Sequence, residues 1–268
     1  MMNQKTQNKE SDLLRISNIL LINGGFLNNP GLFYGEMSIV LFFSHYSRFT
    51  QNELYLKYSF DLIERIQKSI YIETPINYKD GLAGIGSSIE YLAQNGFFEA
   101  DIDDILEDYD DLLFSNEMQH SLTLEEIMSI GYYSLWRILG NSSKKEDIRK
   151  NILPEIVNLM ERKCNNFNSI SPMVSFLKNI LSDEILISST DPLFISGWKK
   201  LCNKIKANCL NKEISDGLAG QSLNNAFFSN NDLGIGVLNG LSGLGLSLLT
   251  ELDGDDSWTL LFPDVLIS

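Results

Sequence analysis

Cysteine and histidine are the residue types best suited to metal or nucleophilic chemistry, and this chain has three of the first and two of the second. Cys202 and Cys209 are separated by six residues, and His120 or His45 could complete a set of three. Three such ligands with an open fourth position are typical of catalytic zinc. The spacing matches no common local zinc motif, and buried free cysteines often serve as small apolar side chains. We therefore predict neither a metal site nor a cofactor, and keep Cys202, Cys209 and His120 as candidate ligands.

Other catalytic arrangements find less support in the sequence. Gly84-Ile-Gly86 follows no predicted strand, which argues against a dinucleotide-binding loop. Glu36 and Glu90 are predicted to occupy matching early positions of two buried helices, where paired carboxylates would suit a glycosidase. His45 is predicted to pack or to cap carbonyl groups at a helix end. One helix carries a group of large side chains that we interpret as core packing: Tyr132, Tyr133, Trp136 and Arg137.

The composition excludes some partners. With 21 Lys and Arg against 35 Asp and Glu, the formal net charge is −14, which repels nucleic acid and attracts cationic peptides. The longest uncharged stretch, residues 233–250, carries five glycines, so it is predicted to be a buried helix and not a membrane span. The three cysteines provide no disulfide framework, and the N-terminus lacks an apolar signal segment. These features predict a cytoplasmic protein.

Glycine-rich segments recur along the chain, and each leads into an apolar stretch. They are Gly31–Ile39, Gly81–Ile89, a weaker copy at 127–131, Gly217–Gly220 and Gly240–Leu248. The glycines that we expect to allow tight turns and close backbone approach are Gly31, Gly35, Gly81, Gly84, Gly86, Gly217, Gly220, Gly240, Gly243 and Gly245. Gly31, Gly81 and Gly131 are spaced 50 residues apart. Asp80 and Asp216 directly precede two of these segments and are predicted to be N-caps.

The apolar stretches run for about ten to twelve residues, longer than most strands, and predict buried helices. Amphipathic helices are predicted between them, near 55–66, 102–113 and 148–160. The acidic residues at 99–111, Asp110 among them, are interpreted as a solvated outer face that could also dock a basic partner. Alternating buried and half-exposed helices predict an all-α fold of two layers. We expect an α/α toroid in a single domain over residues 1–268, incomplete near 186–236, with an open solenoid as the rival.

Two parts of the sequence resemble the lanthionine synthetase C-like family, Asp80-Gly-Leu-Ala-Gly-Ile-Gly86 and Gly240-Leu-Ser-Gly-Leu-Gly-Leu-Ser-Leu-Leu249 with the following Asp255-Asp-Ser-Trp258. The segment Thr50–Tyr55 is also similar to bacterial members. The resemblance covers most of the chain from about Gly31 onward, and it implies an α/α toroid. Enzymes of this family bind zinc through two cysteines and one histidine. The metal activates a peptide thiol, which adds to a dehydroamino acid and closes the thioether ring of a lanthipeptide.

The chain departs from the family motifs that hold zinc. Where the family has Trp-Cys-Tyr-Gly, the most similar segment of this chain is Gly197-Trp198-Lys-Lys-Leu-Cys202. Where the family has an adjacent Cys-His, this chain has Ser215-Asp216. No family ligand can be carried over. The resemblance therefore predicts a non-catalytic relative that binds a precursor peptide or a partner modification enzyme. An active zinc-dependent peptide cyclase and a toroidal glycosidase-like enzyme are the alternatives.

Gly84 and Gly243 hold the same place in their repeats, where we expect neighbouring backbones to approach closely. Replacing either residue by Val should lower the free energy of unfolding by about 1–3 kcal/mol through overpacking. Thermal melts of Gly84→Val and Gly243→Val check this prediction. Parent-like melting of both variants would rule out the close-packing role.

Overall fold

The computed structural model describes residues 4–71, 74–115, 122–140, 142–163, 171–182, 191–202, 234–238 and 240–264. Of these residues 75% are helical and none forms a β-strand, so the predicted all-α class is confirmed. The α-helices are α1 (Gln4–Asn23), α2 (Glu36–Thr50), α3 (Glu53–Ser69), α4 (Leu82–Gln94), α5 (Ile102–Leu113), α6 (Leu124–Leu139), α7 (Lys145–Asp147), α8 (Leu153–Lys163), α9 (Ser171–Leu181), α10 (Pro192–Leu201) and α11 (Leu241–Asp253). A π-helix, Ile148–Ile152, joins α7 to α8, and 3-10 turns span Gly24–Phe26 and Ser257–Leu261.

The chain divides into two compact units, and the first comprises Met1–Ile70 with Lys204–Trp258. In this unit α2 packs against α3 and α11, and α1 packs against α11. Every residue of α2 from Glu36 to Ser47 is buried. Helix α3 is amphipathic, as predicted, since it buries one stripe of side chains and exposes the opposite face.

The second unit comprises Tyr71–Asn203 with Thr259–Ser268. Here α4 packs against α5 and α6, α6 packs against α8, and α9 contacts both α8 and α10. All residues of α4 from Leu82 to Leu92 and all residues of α6 from Ile127 to Ile138 are buried. The predicted division into apolar helices covered by amphipathic ones therefore holds within this unit. Closure of the helices into a toroid and the single-domain organisation stay predictions.

The buried helices α2, α4 and α11 begin with the same hydrogen bond. In each of them the first helical N–H donates to a backbone carbonyl seven residues earlier in the chain. The three bonds join Glu36 to Asn29 at 2.8 Å, Leu82 to Pro75 at 2.8 Å and Leu241 to Gly234 at 2.9 Å. The first N–H groups of a helix have no partner within it. Water cannot reach these buried N–H groups, so the loop that precedes each helix supplies the acceptor instead.

Glycine is the N-cap residue at all three of these entrances, Gly35, Gly81 and Gly240, each with an extended backbone. A Cβ on Gly81 would overlap the Pro75 carbonyl oxygen, and the other two glycines face loop carbonyls in the same way. The predicted register needs correction, because Gly35 and not Gly31 corresponds to Gly81. The predicted N-cap Asp80 was also wrong, since the cap is Gly81 itself.

Helix α6 begins differently. The Thr123 side chain accepts a hydrogen bond from the Glu126 N–H, and the Glu126 carboxylate accepts one from the Thr123 N–H, which makes a capping box. Gly131 lies in the middle of this helix, where a Cβ would come within 3.2 Å of Ile156. The predicted weaker copy at 127–131 is therefore not a helix entrance.

Two glycines inside the buried helices allow aromatic rings to approach. A Cβ on Gly86 would lie 2.7 Å from the Tyr133 ring, and one on Gly245 would overlap the Phe42 ring. Gly84 and Gly243 are buried in the same helices, and the effect of replacing them stays a prediction. Gly217 and Gly220, with the neighbouring Asp216, lie outside the described residues, as does most of the region 186–236.

No helix in the described ranges is long and apolar enough to cross a membrane. The uncharged stretch 233–250 contributes most of α11, which buries Leu241–Ser247 within the first unit. The prediction of a buried helix in this stretch is confirmed.

We expect Gly81→Ala to lower the free energy of unfolding by about 1–3 kcal/mol, because the new Cβ must displace the Pro75 carbonyl that caps α4. Gly25→Ala is the matched control, since a Cβ at Gly25 meets only the Arg65 guanidinium, at 3.8 Å. The free energy of unfolding of this control variant should stay within about 0.5 kcal/mol of the parent value. Urea unfolding measures both variants. Equal losses would show that the entrance carbonyl does not require glycine.

Candidate functional site

Cys202 is the candidate zinc ligand that the structure describes, and it lies directly after α10 with only 5% of its surface exposed. Its Sγ is 3.2 Å from the Tyr132 hydroxyl and donates a hydrogen bond to the Leu260 carbonyl at 3.7 Å. Burial raises the pKa of this thiol to about 12. Cys202 is therefore held as a neutral thiol among aromatic side chains.

This environment does not fit a zinc site, because a tyrosine hydroxyl and a backbone carbonyl are not among the Cys, His, Asp and Glu groups that hold zinc in proteins. Cys209 and His120 lie outside the described residues, so the structure does not bring the three candidates together. Across the parts of the chain that are described, no three His, Cys, Asp or Glu side chains form a group suited to a metal ion. We derive no chemical step through zinc from these residues.

His45 is buried in α2, and its Nδ1 lies 3.4 Å from Asp255 Oδ2. The interaction with His45 lowers the pKa of Asp255 well below its usual range. Asp255 begins the Asp255–Trp258 segment, in which Trp258 Nε1 donates to Thr250 Oγ1 at 2.9 Å and Thr250 Oγ1 donates to the Asp255 carbonyl at 2.7 Å. These contacts fasten the end of α11 to α2 within the first unit. His45 is thus placed for packing and for a structural contact with Asp255.

A buried ion cluster centred on Arg137 is the main feature that sequence reasoning missed. The Arg137 side chain has no exposed surface, and its guanidinium donates to three carboxylates. Its nitrogens lie 2.8 Å from Glu90, 2.9 Å and 3.2 Å from Asp110, and 2.6 Å from Asp103. Tyr133 donates its hydroxyl proton to Asp110 at 2.6 Å. The cluster joins α4, α5 and α6 inside the second unit.

The electrostatics of the cluster follow from its burial. Burial raises the pKa of Glu90, and the hydrogen bond and charge of Arg137 oppose that rise. At Asp103 burial also disfavours ionisation, but hydrogen bonds from Ser143, Ser142 and Arg137 hold the pKa well below its usual range. Burial disfavours the charged guanidinium as well, yet its carboxylate partners hold the pKa of Arg137 above its ordinary value. The cluster therefore carries three carboxyl groups around one permanent cation.

These contacts correct two predictions. Asp110 is buried, and it does not belong to the solvated face of α5 on which we placed it. Glu90 lies in the last two turns of α4, whereas Glu36 is the first residue of α2, so their positions do not match. Glu36 forms its own pair with Arg65 at 3.0 Å. The available signal was Arg137 itself, because a charged residue on an otherwise apolar helix requires a buried counter-ion.

A cleft of about 490 Å³ lies beside this cluster, between the end of α5 and the segment from Lys144 to α8. We call it the α5–α8 cleft, and its lining residues are Asp110, Asp111, Phe114, Ser115, Lys144, Asp147, Ile148, Asn151, Ile152 and Glu155. The Lys144 ammonium is 3.5 Å from Asp110 Oδ2 and 3.9 Å from Asp111 Oδ1. The lining therefore combines four carboxylates, one amine and an apolar surface.

Comparison with known proteins gives one match. The family model for lanthionine synthetase C-like proteins matches residues 27–182, more than half of the chain. This chain belongs to the lanthionine synthetase C-like family. No curated protein and no solved structure matches it.

The part that matches the lanthionine synthetase C-like model contains the entrances at Gly35 and Gly81, the Arg137 cluster and the α5–α8 cleft. Cys202 lies beyond the matched residues. Of the three candidate zinc ligands, His120 falls within the matched residues and Cys209 does not, so membership of the family rests on the part of the chain that holds α2 to α9 and not on the two cysteines.

We expect Arg137→Met to lower the free energy of unfolding by about 3–5 kcal/mol at neutral pH, because it leaves buried carboxylates without their cation. Without Arg137 the pKa of Glu90 in the folded state rises further above its unfolded value. A group with a raised folded pKa stabilises the protein below its unfolded pKa, and this stabilisation is lost as the pH rises. The loss in the free energy of unfolding that Arg137→Met causes should therefore become smaller as the pH falls from about 7 to about 5.

Urea unfolding at the two pH values measures this effect. Arg15→Met is the control, since the Arg15 side chain is 56% exposed and its partner Asp12 is 31% exposed, so its loss should cost less than about 1 kcal/mol. An Arg137→Met deficit that does not change with pH would show that the buried carboxylates do not cause it.

Proposed function

We propose that this lanthionine synthetase C-like protein is a non-catalytic member of its family that binds a precursor peptide in the maturation of peptide natural products. The observation that carries the proposal is the state of Cys202. Its thiol is the one nearest in sequence to the family's first zinc motif, yet it is buried beside Tyr132 and donates to the Leu260 carbonyl. Neither of these neighbours is a group that usually holds zinc.

The chemistry of ring closure explains why this observation matters. A free peptide thiol with a pKa of about 8.5 is only a few per cent thiolate at neutral pH. The zinc of the family's enzymes removes that limitation by deprotonating the substrate thiol. Ser215-Asp216 stands where the family has its adjacent Cys-His, so the sequence supplies neither of those ligands. Apparent zinc affinities of about 10 kcal/mol need a full ligand set.

The contacts of the two glutamates support a binding role over glycoside hydrolysis. Glu36 pairs with Arg65, and Glu90 pairs with Arg137. A glycosidase needs one carboxyl group as a proton donor and a second as base or nucleophile, both facing the sugar. Each of these two carboxylates is held by an arginine and is therefore not free to face a sugar.

We further propose a cytoplasmic location for this protein. The chain has an odd number of cysteines, and Cys202 is a free thiol. A reducing compartment keeps such thiols in this form.

The full chain, loaded with zinc and then dialysed, should retain a zinc-to-protein ratio well below one. A test peptide with one cysteine and one dehydroalanine should keep its free thiol when incubated with the protein. Because ring closure does not change the peptide mass, the thiol is alkylated before mass spectrometry, and a closed ring gains no alkyl group. Peptide incubated without protein is the control.

The Cys202→Ala variant should give the same low zinc ratio as the parent. A ratio near one, together with loss of the alkylatable thiol, would overturn the non-catalytic assignment. If that ratio then fell in Cys202→Ala, Cys202 would be a zinc ligand after all.

A further inference from the structure

The α5–α8 cleft has a surface that suits a long basic side chain. Phe114, Ile148 and Ile152 provide apolar contacts, and the carboxylates of Asp111, Asp147 and Glu155 accompany them. Lysine and arginine lay their aliphatic stems on apolar surface and keep their charged heads in polar surroundings. Resting on the peptide-binding role proposed above, we propose that this cleft binds a lysine or arginine side chain of the precursor peptide.

The charge of the cleft favours a cationic occupant. Four carboxylates line it, against the single amine of Lys144. A recess lined mainly by one sign of charge, with low-dielectric walls, concentrates the field, and the chain as a whole carries a net charge of −14. A neutral or acidic peptide gains nothing from this field.

Lys144 shows that an ammonium group suits these carboxylates. Its Nζ lies within 4 Å of both Asp110 and Asp111, so the chain's own amine already occupies part of the cleft. Asp110, which lines the cleft, is held in place by hydrogen bonds from Arg137 and Tyr133. Asp111, by contrast, is 75% exposed and is available to an incoming cation.

The backbone of the opposite wall is also unusual. Ile148–Ile152 is a π-helix, a rare conformation that is found frequently at functional sites. It contributes Ile148, Asn151 and Ile152 to the lining. Asn151 donates to Asp147 Oδ1 at 2.6 Å and so holds that carboxylate in place. The cleft volume of about 490 Å³ lies in the usual range for small-molecule sites.

Labelled pentapeptides test the proposal without knowledge of the natural ligand. The probe is Gly-Leu-Lys-Leu-Gly-amide with a fluorophore on its N-terminal amine, titrated with the full chain and followed by fluorescence anisotropy. Two reference peptides carry norleucine or glutamate in place of lysine. We expect the lysine peptide to bind at least about tenfold more tightly than the norleucine peptide, a difference of about 1.4 kcal/mol. Equal binding of the two, no binding, or tighter binding of the glutamate peptide would overturn the proposal.

Two double variants separate the cleft from the general acidity of the chain. Asp147→Asn with Glu155→Gln removes two charges from the cleft and should abolish the preference for lysine. Asp104→Asn with Glu107→Gln removes the same charge from the exposed face of α5, outside the cleft lining, and should preserve it. Equal losses in both double variants would show that only the overall field attracts the peptide.

Two single variants complete the test. Lys144→Met removes the competing amine and should strengthen binding of the lysine peptide several-fold. Asp111→Asn, at an exposed position, keeps the test valid if the cleft double variant fails to fold. Zinc content and ring closure do not enter these measurements. An active cyclase could still prefer the lysine peptide, and a non-catalytic protein could lack that preference, so failure of either proposal is recognised separately.

Discussion

The buried start of an apolar helix sets the main constraint on this structure. The first N–H groups of a helix have no partner within it, and solvent usually satisfies them. In α2, α4 and α11 the first residues are buried, so the preceding loop provides carbonyl acceptors instead. In α2 and α11 the bonds continue beyond the first residue, from Met37 to Pro30 and from Ser242 to Ile235. The N-cap must be glycine because any Cβ would occupy the space of a loop carbonyl. The burial of whole helices, and hence the core, depends on this arrangement.

Arg137 places a second polar demand on the core of the second unit. A buried charge destabilises the folded state by more than most apolar contacts stabilise it, unless the charge is paired and fully hydrogen-bonded. Here Glu90 comes from α4, Asp103 and Asp110 come from α5, and Arg137 comes from α6. The cluster therefore fixes the register of three helices against one another. Through Asp110 and Lys144 it also reaches the wall of the α5–α8 cleft, where the fold and the proposed peptide site share a residue.

Periodicity predicted the helices well, because the apolar stripes of α3, α5 and α8 and the mostly apolar sequences of α4 and α6 are local features of the chain. The register of the first entrance was wrong because Gly31 and Gly35 both belong to one loop, and only the hydrogen bonds show which one precedes the helix. The capping box of Thr123 and Glu126 was readable from its spacing. The burial of Asp110 was not, since its partner Arg137 lies 27 residues away. The surroundings of Cys202 likewise depend on Leu260, 58 residues further on.

The entrance loops also bear on how such a chain can change over evolutionary time. Each loop satisfies the helix that follows it with acceptors from the preceding seven residues, so a repeat carries its own cap. The Arg137 cluster has the opposite property, because its carboxylates come from α4 and α5 and its cation comes from α6, so loss of any one of these helices leaves the cluster incomplete. We therefore expect α4, α5 and α6 to be retained or lost together as such chains diverge.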